Sequence, residues 1–252
     1  MSTKPASKLN QLLQTMPKGT VLLSSWLIDQ GYSHDLQQKY IRSQWLTPIG
    51  KGAYKRTGDD ISIFGALYAL QKQANKTIHP GGPSALYLQG HAHYIGMGNQ
   101  SLTLFTPKAV KLPVWFTKQW HGAYTYRRTT LFPGSEELTD YDTGNFKVFI
   151  SSAPRAMMEC LEMAPDHFDL EEAWLIMESL NALQPRQVQN LLEQCNSIKT
   201  NRLFLHFAEK AGHPWFKHLN ISRIKLGTGK RSIVKNGVFN SKYQITLPNN
   251  LV

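Results

Sequence analysis

Residues 21–56 read VLLSSWLIDQGYSHDLQQKYIRSQWLTPIGKGAYKR, and the punctuation of this stretch decides how the amino-terminal part of the chain folds. Val21-Leu22-Leu23 is a short apolar strand, after which Ser24 or Ser25 can accept a free amide hydrogen bond at the start of a helix through Trp26, Leu27, Ile28 and Gln30. Gly31 stops that helix, and Ser33 caps the next, running from His34 to about Ser43 until Trp45-Leu46-Thr47-Pro48 leaves helical geometry. Leu46 to Arg56 then forms two extended pieces around a Gly50-Lys51-Gly52 turn, the composition of a β-hairpin. Upstream, Lys8 to Met16 is a helix with Leu9, Leu12, Leu13 and Met16 on its inner side, ended by Pro17-Lys18-Gly19. The order of these pieces is that of a winged helix-turn-helix.

At about 100° per residue, Leu36, Tyr40 and Ser43 share one side of the second helix, while His34, Gln38 and Arg42 form a polar line opposite. A helix-turn-helix places its second helix in the major groove, where Arg reads guanine and Gln reads adenine. His34, Gln37, Gln38 and Arg42 are therefore expected to face bases. Ser33, Lys39, Lys51, Lys55 and Arg56 are expected to hold the backbone, with Tyr54 beside them in the wing. A solvated helix face in a protein-contact module would show the same polar line; the basic wing directly after it favours DNA.

Charge is distributed in the same sense. Residues 1–56 carry eight Lys or Arg against Asp29 and Asp35, residues 57–178 nine against thirteen acids, and residues 179–252 eleven against only Glu193 and Glu209. Both ends are basic and the middle is not, which favours a polyanionic partner. A hydrophobic content of 41% with eleven Phe, ten Tyr and six Trp excludes wholesale disorder. No run approaches the ~18 apolar residues of a membrane span, and Met1 to Asn10 lacks a signal-peptide core, so a cytoplasmic protein without a membrane partner is expected. Cys160 and Cys195 lack CxxC spacing and read as buried free thiols.

After a short linker at Arg56-Thr57-Gly58, Asp59 or Asp60 is expected to cap a buried helix from Ile61 to about Gln73. Pro83 opens a short helix closed by Gly90. Strands are expected at Ser101–Phe105, Val114–Phe116, Ala123–Thr130, Phe146–Ser151, Ile224–Leu226 and Tyr243–Leu247. Helices are expected at Pro154–Met163, Asp169–Asn181 with Asp169 and Glu172 in capping-box spacing, Pro185–Cys195 and Thr200–Ala211. The fold class is α+β, with a winged helix-turn-helix domain at 1–58 and a larger mixed α/β domain at 59–252.

Little in the sequence points to catalysis, a cofactor or a metal. His91 and His93 alternate as ligands on a strand would, with His79 and His121 conceivable neighbours, but no carboxylate or Cys pair completes a shell before Glu136. Gly227-Thr228-Gly229-Lys230-Arg231-Ser232 lacks the spacing of a phosphate loop; Lys225, Lys230, Arg231 and Lys235 instead make a basic turn suited to a second nucleic-acid contact, or to keeping an edge strand soluble. Glu159 and Glu162, among six closely spaced carboxylates, would be neighbours on one helix and read as an exposed acidic face. Arg127 and Arg128 beside Tyr124 and Tyr126 fit RNA or protein contacts as well as cross-strand packing.

The order of motifs resembles the AbiEi family of antitoxins from type IV toxin-antitoxin systems over nearly the whole chain. The residues that carry the resemblance are Trp45 to Tyr54 in the wing, Ile78-His79-Pro80-Gly81-Gly82-Pro83-Ser84-Ala85-Leu86 with Gly90 and His93-Tyr94, Ser152-Ala153-Pro154-Arg155-Ala156, and Leu226-Gly227-Thr228-Gly229-Lys230-Arg231. The resemblance implies a winged helix that represses its own operon, an antitoxin domain, and a nucleotidyltransferase-like toxin opposed without a tight complex. Double-stranded operator DNA, as an inverted repeat bound by two copies, is the expected partner. The alternatives are a solitary winged-helix regulator without a toxin, or a nucleic-acid-processing enzyme.

Overall fold

A computed structural model describes residues 8–91 and 101–252. His93 and Tyr94, named above, lie outside the described residues, as do residues 1–7. The chain is α+β, beginning with α1 (Lys8–Thr15), β1 (Leu22–Leu23), α2 (Ser24–Asp29), α3 (His34–Arg42), β2 (Leu46–Gly50) and β3 (Ala53–Arg56). This is the winged helix-turn-helix. Its antiparallel sheet has the order β1-β3-β2, with Leu22 opposite Tyr54 and Thr47 opposite Lys55. The hairpin turns at Lys51-Gly52, where Gly52 takes φ +72°, open to glycine without a Cβ penalty. Leu12, Met16, Leu22, Leu27, Tyr32, Tyr40, Leu46 and Tyr54 form one buried cluster, so every element of the motif contributes to its core.

The turn between α2 and α3 follows from Gly31 at φ +82°: its amide donates to the Ile28 carbonyl, and the Tyr32 amide donates to that of Leu27. Ser33 Oγ accepts from the Leu36 amide at 3.3 Å and caps α3. Neither Ser24 nor Ser25 caps α2. Leu23 stands at its N-cap, and Ser24 Oγ is 2.7 Å from Gln37 Oε1, a buried partner that outcompetes the local one.

The expected helix over 61–73 is α4 (Ile63–Tyr68) continued by a wider π turn at Ala69–Gln73. Ala66, Leu67, Ala69 and Leu70 are fully buried, as an apolar surface on all sides demands. Asp59 and Asp60 do not cap it: Ser62 occupies the N-cap, and Asp59 Oδ2 accepts from the Gly19 amide instead. Gln73 accepts from the Leu23 amide and donates to the Val21 carbonyl, completing the bonding of β1.

There follow β4 (His79–Pro80), α5 (Gly82–Leu88), β5 (Leu102–Pro107), α6 (Val114–Gln119), β6 (Tyr124–Thr129), β7 (Leu138–Asp142) and β8 (Lys147–Ser151). The expected strand at Val114–Phe116 is helix α6. Pro113 precedes its first turn, and Trp115, Phe116 and Trp120 pack as an aromatic trio in which the four-residue spacing of Phe116 and Trp120 overrides the strand propensity of Val-Trp-Phe. The chain continues with α7 (Ala153–Met163), α8 (Leu170–Ser179), α9 (Pro185–Gln194), α10 (Ile198–Lys210), β9 (Arg231–Ser232), β10 (Val238–Asn240) and β11 (Ile245–Leu247). Asp169 caps α8 by accepting from the Glu172 amide, the expected half of the capping box. No strand forms at Ile224–Leu226, because side chains take its carbonyls: Asn201 donates to Lys225 and Arg202 to Leu226.

Two compact units are formed, one from residues 1–78, 109–124 and 140–149, the other from residues 79–108, 125–139 and 150–252. The first contains the winged helix. The second is built on the helices α5, α7, α8, α9 and α10, with a small sheet of order β10-β11-β9 near the end of the chain.

Candidate nucleic-acid interface

On α3, His34, Gln38 and Arg42 are all exposed, as are Ser33 and Lys39. Tyr40 and Gln37 are buried on the other side. The polar line predicted from periodicity thus faces outward, and Lys51 is exposed at the tip of the hairpin that follows. Gly50, next to this tip, lets the end of β2 lie against α6: a Cβ there would stand 2.5 Å from Trp115 Cβ.

Three of the expected contacts are placed differently. Gln37 is fully buried, with Nε2 donating to the carbonyls of Tyr32 at 2.9 Å and Ser24 at 3.2 Å. Those bonds fasten α3 to the preceding turn, so Gln37 is withdrawn from the base-facing set. Tyr54 belongs to the apolar cluster beneath the sheet. Arg56 donates to the carbonyls of Leu13 and Met16, satisfying the carboxyl-terminal end of α1, where a cation is favoured. Lys55 is half-committed in the same way, its Nζ donating to the Asp59 carbonyl at 2.8 Å. Ser33 serves as the cap. Lys39, Arg42 and Lys51 are the exposed cations of this surface.

In the second unit, Glu159 is the centre of a buried network and not part of an exposed acidic face. Its carboxylate accepts from the Gly82 amide and Ser151 Oγ at 2.8 Å each, from Arg155 Nε at 3.1 Å, and pairs with His79 Nε2 at 3.2 Å. Burial by itself pushes its pKa up. The His79 bond and charge, Arg155 and Ser151 outweigh that and hold it below the ordinary carboxylate range. Gly81 is required beside it, because a Cβ would stand 2.3 Å from Glu159 Oε2. The motifs around His79–Leu86 and Ser152–Ala156 therefore meet through Glu159, fastening α5 to α7. Both carboxylate oxygens are engaged and enclosed.

The basic turn at 226–231 is shaped from within by Arg202, which sequence reasoning passed over inside an apolar helix. Only 2% exposed, Arg202 donates to the carbonyls of Leu226 at 2.7 Å, Gly227 at 3.2 Å, Gly229 at 2.8 Å and Gln244 at 3.1 Å. Burial, and then the charge of Arg231, lower its pKa. The four cations expected here, Lys225, Lys230, Arg231 and Lys235, are all exposed.

Cys160 and Cys195 are buried free thiols; burial pushes Cys160 far up and Cys195 up to about 12. His79 Nε2 is taken by Glu159, and among the described residues no group of three His, Cys, Asp or Glu could hold a metal ion. No helix of the described residues is long and apolar enough to cross a membrane.

Among solved structures, the chain is similar to a crystal structure of the RV2827C protein from Mycobacterium tuberculosis. The two share 14% identity with a TM-score of 0.58, over 94% of this chain and 88% of the other. At that identity the likeness concerns the fold. A search of the curated proteins finds no match. Two family models match end to end: the N-terminal domain of the AbiEi antitoxin transcriptional regulators over residues 5–97, and the AbiEi antitoxin, transcriptional regulator of type IV toxin-antitoxin systems, over residues 99–248. The chain belongs to the AbiEi family of transcriptional regulators and type IV antitoxins.

Proposed function

We propose that this regulator is a DNA-binding repressor of its own operon, with residues 1–58 as its reading head. The observation that carries the proposal is the exposed row His34, Gln38 and Arg42 on α3, with Lys51 on the hairpin that follows in the chain. Arg42 and Gln38 have the donors and acceptors to read guanine and adenine in the major groove, and the exposed Lys39 and Lys51 would hold phosphates. Two copies on an inverted repeat would neutralise four phosphates through Lys39 and Lys51, giving a slope of log K against log salt of about −4. Gel shifts with the DNA upstream of its own gene, comparing the parent with Arg42→Ala and Lys51→Ala, test the assignment. Unchanged affinity in both would remove it.

The residues from 59 onward are proposed as the antitoxin portion, acting by binding and not by catalysis on a nucleotidyltransferase-like toxin or that toxin's substrate in the cytoplasm. The fully enclosed Glu159 supports the non-catalytic reading, and the basic turn supplies a second nucleic-acid contact through Lys225, Lys230, Arg231 and Lys235. Co-expression with the product of the adjacent gene tests it: the full chain carrying Arg42→Ala and Lys51→Ala should lose repression yet still relieve the growth defect.

A further inference from the structure

Residues 210–252 contain eight Lys or Arg and no Asp or Glu. Within this stretch lies the sheet β10-β11-β9, covered on one side at its middle strand β11. Ile245 and Leu247 of β11 are fully buried, so the face they occupy is the inner one. Thr246 lies between them and points the other way. In register with it stand Phe239 on β10 and Ser232 on β9, so these three side chains share the outer face. Phe239 is 38% exposed there. Lys230 Nζ lies 4.9 Å from the centre of its ring, on the turn that Arg202 holds from beneath. Lys225 and Lys235 are exposed on either side in the sequence, Arg231 stands opposite Ile245 and so belongs to the other face, and none of the four cations forms an ion pair among the described residues.

From this placement we infer that the outer face of the β10-β11-β9 sheet is a binding site for single-stranded nucleic acid. A base stacks on Phe239, Lys230 swings aside to a phosphate, and Lys225 and Lys235 follow the backbone on either side. An aromatic ring on an open sheet face with cations around it suits an unpaired base, whose π-face is available; in a duplex the faces are stacked and only edges are offered. The turn is rigid enough to present its charges, since the Arg202 guanidinium fixes three of its carbonyls. The inference rests on reading this basic turn as a nucleic-acid surface and is independent of the winged helix.

The test is fluorescence anisotropy of the full chain with labelled ten-residue oligouridylate and oligothymidylate, and with a duplex of the same length. Phe239→Ala should weaken single-strand binding about 5- to 150-fold, the range typical for loss of one stacked base. Phe239→Trp should retain it. Phe239→Leu, which keeps apolar surface without a ring, should resemble alanine, separating stacking from folding. Replacing Lys225 and Lys235 by alanine should flatten the salt slope by about 0.7 per phosphate lost on a single strand. Arg42→Ala with Lys51→Ala should leave single-strand binding intact while reducing operator binding, so failure of either surface is distinguishable from failure of the other. Equal single-strand affinity in the parent and Phe239→Ala, or an equal loss with the duplex, would overturn the inference. A preference for the ribose or the deoxyribose oligomer would identify which strand the site takes.

Discussion

Replacing Glu159 by Gln swaps one buried carboxylate oxygen for an amide nitrogen and removes one charge, leaving the shape unchanged. The cost can be worked from its surroundings. Arg155 is 3% exposed and would lose its buried carboxylate partner. Four donors converge on the two oxygens, from Gly82, Ser151, Arg155 and His79, so an amide NH₂ must face at least one of them. Removing one member of a buried pair typically costs about 3–5 kcal/mol. For a chain of this size, that corresponds to a fall in melting temperature of about 6–20 °C. Differential scanning calorimetry and urea unfolding, with the second unit followed by its Trp174 and Trp215 fluorescence, would measure it. Because Glu159 is held below its ordinary range, its stabilisation is complete above the unfolded-state value and disappears as pH falls through the folded one. The gap between parent and variant should therefore be widest at neutral pH, begin to narrow near the unfolded-state value of about 4.3 and close only below the folded one. A loss under about 0.5 kcal/mol at pH 7, the range of an ordinary surface change, would refute the role given to this network.

Three further outcomes are expected. Gly50→Ala places a Cβ 2.5 Å from Trp115 Cβ, so the hairpin must shift; overpacking of this kind costs about 1–3 kcal/mol, readable by thermal melting. Gln37→Leu strips donors from two buried carbonyls and should lower stability by about 1–3 kcal/mol in urea titrations, while base preference on operator variants stays as in the parent. Neither Cys160 nor Cys195 should react with Ellman's reagent in the native chain near pH 8, and both should titrate once it is unfolded in guanidinium.

The winged helix was legible because each of its breaks has a local cause. Gly31 needs a left-handed conformation, Ser33 can cap, and Gly50-Lys51-Gly52 can turn, so α3 falls within a residue of the expected span. Its outward line was legible for the same reason, since 3.6-residue periodicity separates His34, Gln38 and Arg42 from Tyr40. Gln37 was misjudged because it adjoins that line in sequence; only the loop carbonyls of Ser24 and Tyr32 reveal that it turns inward. Glu159 failed in the opposite direction. Spacing alone marks it as one of several helical acids, whereas its burial depends on His79, far away in sequence, reaching the same point. Val114–Phe116 and Ile224–Leu226 show how tertiary contacts override propensity: aromatic packing made the first helical, and the Asn201 and Arg202 side chains took the carbonyls a ladder would have used in the second. Phe239 carried no signal in the sequence, because which face of a three-residue strand points outward is set by its neighbours.

The central claim is that the polar face of α3 reads sequence while the hairpin holds phosphate. It is tested most directly by the dissociation constants of the intact chain for the upstream operator duplex and for a scrambled duplex of equal composition, at one fixed salt concentration. Arg42→Ala should weaken the operator complex by about 1–3 kcal/mol and narrow the gap between the two duplexes, whereas Lys51→Ala should weaken both alike. An operator preference that survives Arg42→Ala and Gln38→Ala together would contradict the claim.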